Sequence, residues 1–192
     1  MSMSSWQSSL QTRLAKHPRP KVVVLGIGHE LRGDDAAGVV VARELSVIAS
    51  GAAAKQSLSG TEEIASAQTA RLAMTQPLII DAGAAPEAFT GQLRRFRPDL
   101  VIMIDAAQLD QPPGTVRAIE WRDALGLSAS THTLPLSVIA EYLVNELGCD
   151  IIIIGIQPAA NEFDTPLSSQ VRRAANEVIA GLQSILLAAP AA

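Results

Sequence analysis

The sequence of 192 residues contains a single cysteine, Cys149, and few aromatic side chains. One thiol cannot form a disulfide framework, and it cannot supply a cysteine-rich zinc or iron–sulfur site. Aromatic residues make up only 3% of the chain, which argues against a platform that stacks nucleic-acid bases or sugar rings. Any metal bound here must therefore be held by oxygen and nitrogen ligands.

The chain also lacks a surplus of positive charge and a long apolar run. Its 15 lysine and arginine residues stand against 19 aspartate and glutamate residues, for a formal net charge of −4. The protein therefore has no basic surplus with which to release counterions from phosphates. No apolar run reaches the roughly 18–20 residues needed to span a bilayer. We expect a cytoplasmic monomer that binds no nucleic acid and does not insert into a membrane.

Residues 1–20 are typical of an N-terminal extension that forms a short helix. They contain no acidic residue and no apolar stretch of the kind found in secretory signals, while Trp6, Leu10 and Leu14 recur at helical spacing. The favoured interpretation is a helix that packs one apolar stripe on the domain. A mitochondrial presequence has a similar pattern and is the alternative. Residues 21–189 then form a single α/β domain, because no repeat or linker divides them.

Apolar runs and helical periodicities alternate along this domain. Runs typical of strands buried on both faces occur at residues 21–27, 77–81, 100–105 and 150–156, and a half-exposed strand is predicted at 115–121. Helices are predicted at residues 38–49, 86–97 (a short helix or turn), 136–147 and 165–187, with helix plus loop in 50–76. This alternation predicts a three-layer α/β/α fold with a mostly parallel central sheet of about five strands.

Three aspartates and a histidine are the candidate functional residues. Ligands of open α/β sheets bind beyond the carboxyl ends of the strands. There, Asp35 follows the first strand, and Asp81 and Asp105 end the second and third. A loop before the third long helix adds His132. Asp105 is the hardest to explain structurally, because it ends an otherwise apolar strand where a carboxylate needs compensating contacts.

The other candidates have structural explanations as well as functional ones. Asp34 or Asp35 is a possible N-cap of the helix that begins near Gly38, Asp81 is followed by a possible turn, and His132 suits a surface loop. As a group, carboxylate oxygens with an imidazole nitrogen suit zinc or nickel. Two close carboxylates that share a proton and activate water are the alternative chemistry, and both stay open.

The glycine-rich turn after the first strand does not have the pattern of a nucleotide-binding loop. The third glycine of a dinucleotide fingerprint falls at Leu31, and Asp34 and Asp35 stand where a phosphate loop has lysine and serine or threonine. Two adjacent carboxylates repel a pyrophosphate. We therefore expect no nucleotide cofactor.

Residues 26–38, GIGHELRGDDAAG, resemble the G-x-G-N-x-L-x-x-D-[DE]-G-x-G opening of the NiFe-hydrogenase maturation endopeptidases. The resemblance continues in order through residues 80–87, 97–99, 104–106, 113–114, 131–136 and 154–158, and it covers residues 21 to about 187. The subgroup that serves formate-hydrogenlyase-type hydrogenases is the most similar. Two positions depart from the family pattern, because His29 stands in place of asparagine and Ala36 in place of glycine.

This resemblance implies an endopeptidase that removes the C-terminal extension of a NiFe-hydrogenase large-subunit precursor after nickel insertion. The family's metal-contacting residues fall on Asp35, Asp105 and His132, and Asp81 matches a further aspartate of its cleft. These four residues are the predicted catalytic set. The precursor is the expected partner and supplies the nickel. Two alternatives stay open, a non-catalytic checkpoint module that binds the nickel-loaded precursor and a metallohydrolase that holds its own metal.

Overall fold

A five-stranded sheet between two layers of helices is the framework of the chain. The computed structural model describes residues 4–58, 76–126 and 134–187. The strands are β1 (Val22–Ile27), β2 (Leu78–Gly83), β3 (Leu100–Ala106), β4 (Val116–Ile119) and β5 (Asp150–Ile156). They lie in the order β2-β1-β3-β5-β4, with β4 antiparallel to β5 and the other pairs parallel. The predicted α/β fold with a mostly parallel sheet is confirmed.

The helices divide between the two faces of this sheet. They are α1 (Ser5–Leu14), α2 (Ala37–Leu58), α3 (Thr90–Phe96), α4 (Leu136–Leu147) and α5 (Ser169–Leu182), which a π-helical turn continues over Gln183–Leu187. Helices α1, α2 and α5 cover one face, and α3 and α4 cover the other. Within the described ranges, no helix is long and apolar enough to cross a membrane.

Alternate residues of the inner strands enter two separate cores. In β3, Ile102 and Ile104 belong to the core beneath α2 and α5, whereas Val101 and Met103 belong to the core beneath α3 and α4. All four side chains are fully buried. Because both faces are covered, the strand has a continuous apolar run over residues 100–104 instead of an alternating pattern.

Asp81 and Asp105 are predicted to end their strands, but both lie inside them. Strand β2 continues two residues beyond Asp81, and β3 continues one residue beyond Asp105. Across the sheet, Asp81 pairs with Gly26 and Asp105 pairs with Gly155. Each aspartate therefore lies beside a residue that has no side chain, and the strand pairing continues past it. Both aspartates remain near the carboxyl edge of the sheet.

Two helices differ from their predicted bounds. Helix α2 continues beyond the predicted 38–49 to Leu58, which agrees with the helix expected within residues 50–76. Its alanine-rich continuation has high helix propensity although it has no clear apolar period. Helix α5 begins at Ser169 and not at residue 165. Ser168 is its N-cap and accepts a hydrogen bond from the Val171 N–H at 3.3 Å, while Thr165 forms a backbone bridge with the first loop.

Helix α1 is part of the core. The side chains of Trp6 and Leu10 are buried, and Trp6 lies so close to α5 that a Cβ on Gly181 would meet its ring at 2.5 Å. Arg13, near the end of the helix, forms an ion pair with Asp150 at the start of β5. A short helix with its apolar stripe turned inward, as the spacing predicts, therefore occupies this region.

Two glycines allow α2 to contact the sheet through its backbone. A Cβ on Gly38 would overlap with the backbone oxygens of Ile27 and Ile104, and a Cβ on Gly26 would overlap with the backbone oxygen of Gly38. There is no room for a side chain in this contact. The N-terminus of α2 is therefore fixed against the ends of β1 and β3, three residues after Asp35.

Candidate active site

The first loop, residues 28–35, connects β1 to α2 by a tight turn. Gly28 and Gly33 have φ angles of 134° and 51°, a region that favours glycine, and a Cβ on Gly28 would overlap with the carbonyl of Asp35. The loop ends in a 3₁₀ turn that leads directly into α2. Asp34 and Asp35 both lie inside this turn, so the interpretation of either residue as the N-cap of α2 is wrong.

The carboxylate of Asp35 is buried, and the described residues donate a hydrogen bond to only one of its oxygens. Its Oδ2 accepts a hydrogen bond from the backbone N–H of His29 at 3.0 Å, whereas its Oδ1 is buried and accepts no hydrogen bond from any described residue. Burial raises the pKa of Asp35, and the His29 N–H and the charge of Arg32 act in the opposite direction. A buried oxygen in this state is suited to bind a cation or a hydrogen-bond donor that enters the site.

Asp34, the neighbouring residue, has a different environment. Its side chain is 1% exposed. Its Oδ2 accepts hydrogen bonds from the N–H groups of Ala159 and Ala160 at 2.8 and 3.1 Å, and its Oδ1 accepts one from the N–H of Ser168 at 2.6 Å. All three donors belong to the connection between β5 and α5. The adjacent aspartates therefore have different roles, since within the described part of the chain both oxygens of Asp34 accept hydrogen bonds and only one oxygen of Asp35 does.

Asp105 is buried on β3, and its neighbourhood includes the turn that carries Asp35. The side chain of Asp105 is 1% exposed, and the 3₁₀ turn of the first loop packs against β3. The structure thus brings the loop of Asp35 and the strand of Asp105 to the same edge of the sheet. His132 lies outside the described residues, and within these no group of three or more histidine, cysteine, aspartate or glutamate side chains could hold a metal ion. The ligand set Asp35, Asp105 and His132 stays a prediction.

Asp81 faces a separate cleft beside the first loop. The cleft has a volume of about 210 Å³, and its walls include Gly28, His29, Arg43 and Asp81. Arg43 of α2 donates from Nε to Asp81 Oδ2 at 2.6 Å and from a terminal nitrogen to Glu30 Oε2 at 2.7 Å. These hydrogen bonds, first that with Glu30 and then that with Asp81, raise the pKa of Arg43, so the guanidinium stays charged.

Arg43 lies in this cleft, but no pattern in the sequence marks it as a functional residue. It lies on α2 eight residues after Asp35, where its side chain can reach both β2 and the first loop. The only signal in the sequence is a basic residue within the first two turns of a helix that follows an acidic loop. That signal is too common to single out one arginine, because exposed helix faces often carry basic residues.

The two departures from the family pattern fit the structure without strain. The ring Nδ1 of His29 accepts a hydrogen bond from the N–H of Leu31 at 3.2 Å, a role that an asparagine side chain performs in similar turns. Among described residues other than glycine, a positive φ occurs at Arg97, Asp110 and Asp164. Ala36 therefore has an ordinary backbone conformation and does not require glycine.

Cys149 lies away from the site, as its place before β5 predicts. Its side chain is buried, and burial raises the pKa of the thiol to about 11. A thiol that stays protonated is a poor nucleophile. Cys149 is therefore a core residue.

Comparison with known proteins identifies relatives of the whole fold. A family model described as HycI, hydrogenase maturation protease, matches residues 63–185. A protein of Methanocaldococcus jannaschii, provisionally named a hydrogenase maturation protease, is 34% identical over 166 residues, which cover 86% of this chain and 88% of that protein. The hydrogenase 3 maturation protease of Escherichia coli K12 is 26% identical over 162 residues, or 84% of this chain and 88% of that protein.

A solved structure extends this similarity to three dimensions. The crystal structure of the NiFe-hydrogenase maturation protease HycI from Thermococcus kodakarensis has a TM-score of 0.68 and is 29% identical. The match covers 93% of this chain and 99% of that one. The similarity in three dimensions thus extends over nearly the whole chain.

Proposed function

The chain belongs to the hydrogenase maturation protease family, and on this basis we propose that it cleaves the C-terminal extension from a NiFe-hydrogenase large-subunit precursor after nickel has been inserted. The match to HycI agrees with the subgroup that the sequence most resembles. In this proposal the nickel belongs to the substrate. The protein recognises it and uses it to place the peptide bond that is cleaved.

The environment of Asp35 is the observation that supports this proposal most directly. Its Oδ1 is buried and accepts no hydrogen bond from the described residues, although a buried carboxylate normally has its oxygens engaged. The oxygen is therefore available to a metal that arrives with a partner. Asp105, on the adjacent strand β3, and His132 complete the proposed contacts with nickel, and carboxylate with imidazole is a ligand set that suits this metal.

Metal contact of this kind would act mainly by positioning. A peptide bond held at a fixed distance from the metal presents its carbonyl to water in one orientation, and such orientation lowers a barrier by up to about 7–11 kcal/mol in ideal geometry. As the alternative, one of these carboxylates acts as the general base for the attacking water instead of contacting the metal.

We assign the cleft of Asp81 to the peptide that leads to the cleaved bond. The cleft adjoins the first loop, and Gly28 and His29 form part of its wall. Because Arg43 already engages Asp81 and Glu30, Asp81 is better placed to shape the cleft than to abstract a proton.

A processing assay with purified precursor tests the proposal. The wild-type protein should shorten the nickel-loaded precursor and leave the nickel-free precursor intact. Asp35→Asn and His132→Ala should each slow processing by at least about tenfold. Asp123→Asn, which changes an exposed carboxylate in the 3₁₀ turn after β4, is the matched control and should keep the wild-type rate.

Three results would contradict the proposal. Wild-type rates for both Asp35→Asn and His132→Ala would remove these residues from the reaction. Cleavage that does not depend on nickel would remove the metal from substrate recognition. A stable complex without shortening of the precursor would instead identify a checkpoint module.

A further inference from the structure

We infer that the connection between β5 and α5, residues 157–168, holds the loop of Asp35 and the loop after Asp105 in a fixed relation, and that Asp34 and Gln157 are the positioning residues through which it does so. The inference rests on the proposed function, since it concerns the same pair of aspartates. In this inference Asp34 and Gln157 do not contact the substrate and affect the reaction only by holding neighbouring residues in place.

Asp34 joins this connection to the first loop. Its carboxylate accepts the hydrogen bonds of three N–H groups, those of Ala159, Ala160 and Ser168. Backbone hydrogen bonds run alongside, from the N–H of Asp34 to Ala160 O at 3.0 Å and from the N–H of Gly33 to Thr165 O at 3.2 Å. The residue immediately before Asp35 is thus bound on both its side chain and its backbone.

Gln157 joins the same connection to the chain that follows Asp105. Its side chain is 6% exposed, and its Oε1 accepts hydrogen bonds from the N–H groups of Leu109 and Gln111 at 2.7 and 3.4 Å. Its Nε2 donates to Gln108 Oε1 at 3.0 Å and to Pro158 O at 3.2 Å. The segment that leaves β3 after Asp105 is therefore fixed to the segment that leaves β5.

The two networks meet in one stretch of chain. Gln157 is at its start, and Ser168, which Asp34 binds, is at its end. A buried network whose members are all satisfied is rigid, because a change in one group leaves its partners without hydrogen bonds in a region that excludes water. Loss of either side chain should therefore let one aspartate move relative to the other, and a shift of about 1 Å is enough to reduce a rate about 100-fold.

The experiment compares processing by Asp34→Asn, Asp34→Ala, Gln157→Glu and Gln157→Ala at a temperature where each variant is folded. The amide of Asp34→Asn can accept on one side only, and Gln157→Glu keeps the acceptor for Leu109 and Gln111 but loses the donor. Asp164→Asn is the matched control, since Asp164 is exposed on the same connection and asparagine tolerates its φ of 58°.

We expect kcat to fall about 10–100-fold in the alanine variants, with partial rescue by Asn at 34. Glu at 157 should give no rescue, because its carboxylate oxygen would face the acceptor oxygens of Gln108 and Pro158. KM should change little, because the precursor still meets the same cleft. The amide resonance of His29, which donates to Asp35, should shift in Asp34→Asn and keep its position in Asp164→Asn. A residue that only stabilised the fold would lower the unfolding temperature without these changes in folded protein.

Wild-type kcat in folded Asp34→Asn and Gln157→Ala, with an unshifted His29 amide, would overturn the inference. Equal loss in Asp164→Asn would do the same, since the effect would then come from any change in the connection. If Asp34→Ala fails to fold, the Gln157 variants decide. If the wild-type protein itself leaves the precursor intact, the proposed function is overturned and this inference with it. If the wild-type protein and the variants all process the precursor at the same rate, only this inference is overturned.

Discussion

Replacement of Gly38 by alanine tests whether the backbone contact between α2 and the sheet is required for the fold and the site. A Cβ at this position would overlap with the backbone oxygens of Ile27 and Ile104, and neither atom can swing aside because both belong to buried strands. Overpacking of this kind costs about 1–3 kcal/mol, with rigid backbone atoms at the upper end. Alanine recovers about 1 kcal/mol through its helix propensity. We expect a net loss of about 2 kcal/mol.

Gly51→Ala is the matched control, because it makes the same change in the same helix where no atom lies within 4 Å of the added Cβ. This variant should gain about 0.5–1 kcal/mol. Urea unfolding followed by far-ultraviolet circular dichroism measures both free energies. Processing should also fall in Gly38→Ala, since the added methyl group pushes the first loop away from β3. Equal stability of the two variants would refute the claim of a rigid backbone contact.

Two further predictions concern groups with shifted pKa values. Burial raises the pKa of Cys149 to about 11, so at pH 8 about one native thiol in a thousand is ionised. Iodoacetamide should therefore label Cys149 only as the protein unfolds. Labelling of the folded protein at the rate of a free thiol would contradict this prediction. Burial acts to raise the pKa of Asp150, but the hydrogen bond from Lys16 and the charges of Arg13 and Lys16 outweigh it, and the pKa is lowered. Asp150 thus contributes stability above its ordinary pKa of 3.8, which is lost as the pH falls through the lowered value. In Asp150→Asn, the free energy of unfolding should fall less steeply as the pH is lowered through this range. An unchanged dependence on pH would contradict this role of Asp150.

The strands could be predicted from the sequence because their signal is local. Strands β3 and β5 each contain a continuous apolar run that supplies residues to both faces of the sheet, and their bounds differ from the predicted ones by one residue or none. The residue at which α2 ends cannot be predicted from the sequence, since its alanine-rich continuation to Leu58 has no apolar period. The start of α5 was also missed, because Thr165 pairs with Arg32, a residue distant in sequence.

The candidate site was predictable only in part. Topology places Asp35, Asp81 and Asp105 near one edge of the sheet, as their positions after apolar runs suggest. It does not reveal which aspartate of the adjacent pair has an oxygen that accepts no hydrogen bond from the described residues. That distinction depends on N–H groups such as Ala159 and Ser168, more than 120 residues away, and on burial that only the folded chain creates. Likewise, nothing in the local sequence connects Arg43 to Asp81.

The different environments of the two aspartates suggest why the site is built from buried networks. Ionised Asp35 works against folding, because burial raises its pKa and one oxygen has no hydrogen bond from the described residues. A flexible loop would relieve this cost by turning the carboxylate towards water. The bonds of Asp34, the network of Gln157 and the glycine contact at Gly38 all oppose such a movement. A buried oxygen that accepts no hydrogen bond from the described residues is therefore retained only if the neighbouring residues are more firmly bound than those of an ordinary surface loop. This is the arrangement found on both sides of Asp35.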